Sequence, residues 1–138
     1  DKRANSNSKR DDNKSETIYF SRTLEELIGQ VADDSGEHLY VAGQVQGREL
    51  QFLYDTGANH TFIDFTEWEK IPEEERPKLD EPDRAFLLAD GSPFKVFGRA
   101  YATVRVGGRE VQHFPIWIAQ LMDQAIMGSN LMAAIKCH

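Results

Sequence analysis

Cysteine is almost absent from this chain. Cys137 is the only one in 138 residues, which excludes an internal disulfide and a cysteine-built metal cluster and fits a reducing, intracellular compartment. No apolar run approaches the roughly 18 residues of a membrane span, and the polar start lacks the apolar stretch of a signal peptide. Positive charge is also scarce. The 16 Lys and Arg against 23 Asp and Glu give a formal net charge of −7. The basic patch that nucleic acid binding requires is therefore missing. Lys2, Arg3, Lys9 and Arg10 are interleaved with acids and amides and read as a solvated tail. The four histidines, His38, His60, His113 and His138, show no ligand spacing, so neither a metal nor another cofactor is expected. The chain begins at Asp1 and not at methionine, and reads as a fragment of something longer.

What is present falls into three parts. Residues 1–16 are polar and nearly free of large apolar side chains, too little to offset the entropy of ordering. Residues 17–36 form an N-terminal extension with a helix expected from Thr23. Thr23 and Glu26 fit a capping box, and Leu24, Leu27, Ile28 and Val31 share a face. From 37 to 138 the pattern is that of short strands. Leu39 to Val45 and Leu50 to Tyr54 flank a turn at Gly47. Thr61 to Ile63 is a third strand, and Thr66 to Lys70 a single helical turn. Pro72 to Pro82 reads as an exposed loop. Ala85 to Leu88 and Phe94 to Phe97 flank the turn Asp90-Gly91. Tyr101 to Val106 turns at Gly107-Gly108 and returns as Val111 to Ile118. Ala125 to Gly128 is a short apolar strand, and Ser129 to Ile135 a closing helix.

The sequence echoes itself. Val45-Gln46-Gly47-Arg48-Glu49-Leu50 resembles Val106-Gly107-Gly108-Arg109-Glu110-Val111, and each leads to an apolar strand that ends in glycine. Duplication is the better reading. On that alignment Ile126 stands where the first half carries Asp55.

Asp55-Thr56-Gly57 closes the run Phe52-Leu53-Tyr54. A strand ending this way places an acid at the lip of a packed core. Glycine lets the backbone turn and brings its N–H to the carboxylate. Thr56 offers a hydroxyl to neighbouring backbone, and Ala58 is small enough to leave room for a substrate. Hydrolysing a peptide without a metal or covalent nucleophile needs both a base and an acid. Two carboxyl groups held about 3 Å apart share one proton and provide both. The chain has one such triplet. Asp64 is too near in sequence to stand opposite, Asp90 belongs to a turn, and Asp123 precedes its strand. The simplest second acid is Asp55 of another copy, because a two-fold axis sets the same residue on both sides.

Three ordered segments resemble the retropepsins, the homodimeric aspartic proteases of retroviruses and long-terminal-repeat retroelements. Leu53 to Ala58 looks like their active-site loop, Leu88-Ala89-Asp90-Gly91-Ser92 through Gly98 like their flap hairpin, and Ala125 to Met132 like their second glycine strand and helix. The resemblance implies an all-β fold: a small closed β-barrel with one short C-terminal helix, homodimeric, here with the extra N-terminal helix. It implies an aspartic endopeptidase with Asp55 catalytic and Thr56 and Gly57 supporting the loop. Ala58, Asn59, Ala89, Asp90, Gly91 and Ser92 would lie along an extended polypeptide, with Ile126 and Gly128 in the second glycine strand. The implied partners are a second copy and a polypeptide substrate, most simply the chain's own polyprotein, in the cytoplasm or a retroelement particle.

Three features depart from retroviral patterns, one of them a flap without their glycine-rich tip. An acid and an arginine that often pair beside the active site are replaced by Asn59 and Ser129, and losing both leaves no orphan charge. The chain ends at Cys137-His138, before the final strand that knits retroviral dimers, so either the fragment is cut short or the dimer is held differently, with Thr17 to Phe20 or the following helix as candidates. Trp68 and Trp117 read as packing residues, and His60 as a pocket or surface residue. Two other functions compete: a domesticated dimerisation or binding module without useful activity, and an aspartyl-phosphate enzyme. The intact triplet argues against the first. The want of a close second acid for Mg²⁺ argues against the other.

Overall fold

A computed structural model describes residues 18–19, 39–55, 57–88 and 90–136. The expected tail over 1–16 and the helix from Thr23 lie outside the described residues, as do Thr56, Ala89, Cys137 and His138. In chain order the elements are β1 (Ile18–Tyr19), β2 (Tyr40–Val45), β3 (Arg48–Tyr54), β4 (Phe62–Asp64), α1 (Phe65–Glu69), a 3-10 turn (Glu73–Glu75), β5 (Phe86–Leu87), β6 (Val96–Val106), β7 (Arg109–Ala119), β8 (Ala125–Met127) and α2 (Ser129–Lys136).

Two hairpins frame the molecule. β2 turns into β3 at Gln46-Gly47, and β6 into β7 at Gly107-Gly108. All four turn residues have positive φ, the geometry that a two-residue hairpin turn requires. Gln46 has no glycine freedom, but its side chain is held at both ends. It donates to the Glu75 carbonyl at 2.8 Å and accepts from the Thr103 amide at 2.7 Å.

The strands close into a barrel in the order β2-β3-β8-β4-β7-β6, sealed by β2 against β6. This order reads the same backwards if β2, β3 and β4 are exchanged with β6, β7 and β8. β3 runs parallel to β8, β7 runs parallel to β4, and β4 and β8 meet antiparallel at the centre. The hairpin echo in the sequence therefore marks a structural repeat. One part of that alignment is corrected. Ile126 lies in β8, whose counterpart is β4, so it does not correspond to Asp55. The point matching Asp55 is the end of β7, at Ala119 and Gln120, where no carboxylate stands.

The separate strands expected over Phe94 to Phe97 and Tyr101 to Val106 are also corrected. Val96 to Val106 is one strand, β6, with register shifts at Val96/Gly98 and Ala102/Val104, and Phe94 and Lys95 precede it. Gly98 reads as a break but serves close approach. The Asp80 and Arg99 backbones exchange bonds of 2.7 and 2.8 Å beside it, and a Cβ on Gly98 would meet the Asp80 carbonyl.

Apolar residues fill two cores on opposite faces of the same strands. Phe52, Ile63, Ile116, Ile118 and Met127 belong to the first, with Trp68 and Leu131. Leu53, Phe62, Trp117 and Ile126 belong to the second, with Ala58, Phe86, Leu88 and Phe94. Successive strand residues point to opposite faces, which explains why these strands are apolar at consecutive positions and do not alternate. Both tryptophans are buried, as their packing role requires. Glu67 is nearly buried and is held by Arg48 through Nε at 3.1 Å and Nη2 at 2.8 Å, joining α1 to the start of β3.

Candidate active site

Asp55 is the first residue beyond β3, and its position follows from the barrel. Its amide donates to the Met127 carbonyl at 3.2 Å, so the chain is still tied to β8 when it leaves the strand. A turn follows at once. The Ala58 amide donates to the Asp55 carbonyl at 3.1 Å, and the Gly57 amide to Asp55 Oδ1 at 2.9 Å. Oδ1 is thus fixed by backbone. Oδ2 is buried and has no hydrogen-bond partner among the described residues. An acid oxygen withheld from water without a partner is uncommon, and such groups concentrate at functional sites.

The loop from Asp55 to Thr61 is latched to the start of α2. The Ser129 amide donates to the Ala58 carbonyl at 2.8 Å. Thr61 is fully buried. Its hydroxyl donates to Asn130 Oδ1 at 2.8 Å and accepts from the Gly128 amide at 3.2 Å, while its carbonyl accepts from the Trp117 amide at 2.9 Å. Gly128 admits no side chain, because a Cβ would overlap the His60 backbone. Sequence reasoning placed Gly128 in the site and passed over Thr61 and Asn130. A hydroxyl opening the apolar run Thr61-Phe62-Ile63 is the signal that could have found the first.

Asn59 and Ser129 meet beside the Asp55 loop. Ser129 Oγ donates to Asn59 Oδ1 at 3.4 Å, a long neutral bond on an exposed edge. Ala58 is buried in the second core, so its small side chain serves packing and does not open the loop toward solvent. Ile126 lies in the same core, paired in register with Leu53.

The hairpin containing Asp90 stands on that core through Phe86, Leu88 and Phe94. Its tip is a tight turn. The Leu88 amide donates to the Ser92 carbonyl at 2.8 Å, the Gly91 amide to the Leu88 carbonyl at 2.9 Å, and Gly91 has φ of 88°. Asp90 Oδ1 accepts from Ser92 Oγ at 2.6 Å and from the Ser92 amide at 3.0 Å. The hydroxyl bond first, and the amide bond second, hold the exposed Asp90 carboxyl below its ordinary value.

The acids that could have faced Asp55 within the chain are engaged elsewhere. Asp64 caps α1, accepting from the Thr66 amide at 3.0 Å, and also accepts from the Leu121 amide at 2.8 Å. Asp90 is the turn residue just described. Asp123 accepts from the Tyr40 hydroxyl at 2.9 Å. His60 sits edge-on to Trp117, their ring centroids 6.4 Å apart. Among the described residues no group of three or more His, Cys, Asp or Glu could hold a metal ion, and no helix is long and apolar enough to cross a membrane. A cleft of about 410 Å³ opens between the two hairpins, lined by Gly43, Glu49, Gln51, Arg105 and Gln124 among others, and no residue of the Asp55 loop contributes to it.

Comparison with known proteins places this arrangement. The chain is similar in fold to the EIAV protease solved with the inhibitor HBY-793, with a TM-score of 0.63 at 15% identity over 77% of this chain and 95% of that one. It is similar to the retroviral protease-like domain of Ddi1 from Leishmania major (TM-score 0.51, 19% identity, 70% of this chain and 76% of that one). A retropepsin-like aspartic protease from Rickettsia conorii aligns with a TM-score of 0.52 and 18% identity, over 83% of this chain and 76% of that one. None of the curated proteins matches it in sequence. The aspartyl protease family profile matches residues 41–131, which takes in the whole barrel and the latch, and the chain therefore belongs to the aspartyl protease family, with the retropepsin-like form of its fold.

Proposed function

We propose that the chain is an aspartic endopeptidase that acts as a homodimer, with Asp55 of each copy forming one catalytic pair. The observation that carries this is the state of Asp55. One carboxylate oxygen is fixed by the Gly57 amide, the other is buried without a partner among the described residues, and Asp64, Asp90 and Asp123 are committed elsewhere. A second carboxyl brought to Asp55 by a two-fold axis completes the acid–base pair by sharing a proton with it. The pair titrates as a unit. Its ionised member takes a proton from water as the water attacks the scissile carbonyl. Its protonated member donates toward the carbonyl oxygen, and a proton passes to the leaving nitrogen as the carbon–nitrogen bond breaks.

Thr56 and Gly57 support the loop. Asn59 and the tip from Ala89 to Ser92 border an extended polypeptide, while Ala58 packs in the core beneath the loop. The natural substrate is a polyprotein of retroelement type, including the chain's own precursor. Membership in the aspartyl protease family supports peptide hydrolysis. The likeness to the Ddi1 domain keeps one other reading in view, a dimeric binding module without activity.

Cleavage of a peptide library, measured against enzyme concentration with and without a statine-type inhibitor, separates the two. The protease reading expects inhibited activity that rises faster than linearly near the dimer dissociation constant and disappears in Asp55→Asn. Activity surviving that substitution overturns it. A dimeric wild type that cleaves nothing favours the binding module.

A further inference from the structure

The strand β1 belongs to neither hairpin nor barrel. Ile18 and Tyr19 pair in parallel with Phe86 and Leu87, forming a separate two-stranded sheet with β5. β5 has two edges. One faces its own hairpin, where Leu87 bridges Pro93 and the Phe94 amide donates to the Phe86 carbonyl at 2.9 Å. β1 takes the other. Without β1, that edge would present unpaired backbone N–H and C=O groups, which accept an added extended strand.

The hairpin that carries this edge is packed on the same core as the Asp55 loop. Phe86 and Leu88 pack in the core that also holds Leu53 and Ala58, the residues bracketing the Asp55 loop. Parallel pairing cannot come from a tight hairpin and needs a long connection, so β1 is brought here from the far end of the sequence. A two-residue strand is well short of the usual length and makes few ladder bonds. It is held by tethering more than by affinity, and a better-matched strand can displace it.

We propose that β1 occupies the peptide-accepting edge of the hairpin, so that the N-terminal segment competes in cis with polypeptide for the proposed active site. This rests on the endopeptidase reading and adds a regulatory element to the same site. A tethered segment acts at an effective concentration in the millimolar range. A weak strand at that concentration lowers apparent substrate affinity modestly, by roughly two- to tenfold.

The test uses the full chain carrying Ile18→Pro and Tyr19→Pro, which removes both backbone donors from β1. At an enzyme concentration where light scattering shows the variant fully dimeric, KM for an extended peptide substrate is expected to fall roughly two- to tenfold with kcat unchanged. In the Asp55→Asn background, fluorescence anisotropy of the same peptide, labelled, should show Kd falling by a similar factor. This arm needs no turnover, so it reads the edge even if the endopeptidase reading fails. A synthetic peptide covering residues 14–24 should compete with the labelled peptide, and more strongly in the proline variant. Unchanged or raised KM and Kd, with a lower Tm, would make β1 a brace for the hairpin and overturn the proposal. If amide exchange shows the barrel itself loosened by proline, Ile18→Gly with Tyr19→Gly is expected to give the same fall in Kd. No fall in that variant either would overturn it.

Discussion

The two halves of the barrel share their pairing scheme but not their connections. β3 leads into a tight turn that fixes a carboxylate, and the Asp55 loop is latched at Thr61. β7 ends in Ala119 and passes through residues 120–124 to β8 without an acid at the matching point. The repeat shares what the barrel needs, which is the crossed parallel pairs and the central antiparallel pair. The strand-to-strand link was left free to differ. The second half instead supplies the backing for the first, because Met127, Gly128, Ser129 and Asn130 all bond to the Asp55 loop. One half presents the carboxylate of the proposed site and the other backs its loop.

The largest expected effect breaks that asymmetry directly. Asp55→Asn should lower peptide hydrolysis by about 10³-fold, within the range for loss of an acid–base group, while circular dichroism and Tm stay near the wild type. Gly128→Ala probes the supporting half. Its Cβ must displace the His60 backbone, so the urea midpoint should drop by the equivalent of about 3 kcal/mol. Thr61→Val leaves the buried Gly128 amide and Asn130 oxygen unpaired and should cost about 2 kcal/mol, with Thr61→Ser recovering most of it. Ser129→Ala removes only a long, exposed bond to Asn59, and chemical denaturation should register about 0.5 kcal/mol.

The smallest effect concerns the hairpin tip. Asp90 is held below its ordinary value of 3.8 by Ser92, so its contribution is present above that pH and is lost as pH falls through the lowered value. The Ser92 amide resonance, followed by NMR on acidification, should report the turn loosening with a midpoint below pH 3.8, and Asp90→Ala should abolish that titration.

Much of this was legible in the sequence because it is written in neighbouring residues. Hairpin turns announce themselves by glycine between apolar runs, and Gly47 and Gly107-Gly108 fall where expected. Asp55-Thr56-Gly57 stands out because it ends a strand that is apolar at consecutive positions. The illegible parts depend on residues far apart in the chain. Gly98 reads as a terminator until Asp80 is seen beside it. Thr61 reads as an ordinary strand residue until Asn130 and Gly128 close on its hydroxyl. The match of β8 with β4 could not be taken from the echo, since it is set by pairing register and not by similarity. The pairing of β1 with β5 has no local signal at all.

The central claim is that the site is half-built in one chain and completed by the same residue of another. Mixing wild-type and Asp55→Asn chains at saturating total concentration tests it most directly. If each active site needs two copies of Asp55, activity follows the square of the wild-type fraction and an equal mixture retains about a quarter of the wild-type rate. Activity that falls in simple proportion, to about a half at equal mixing, would mean that one chain carries a complete site and would contradict the account.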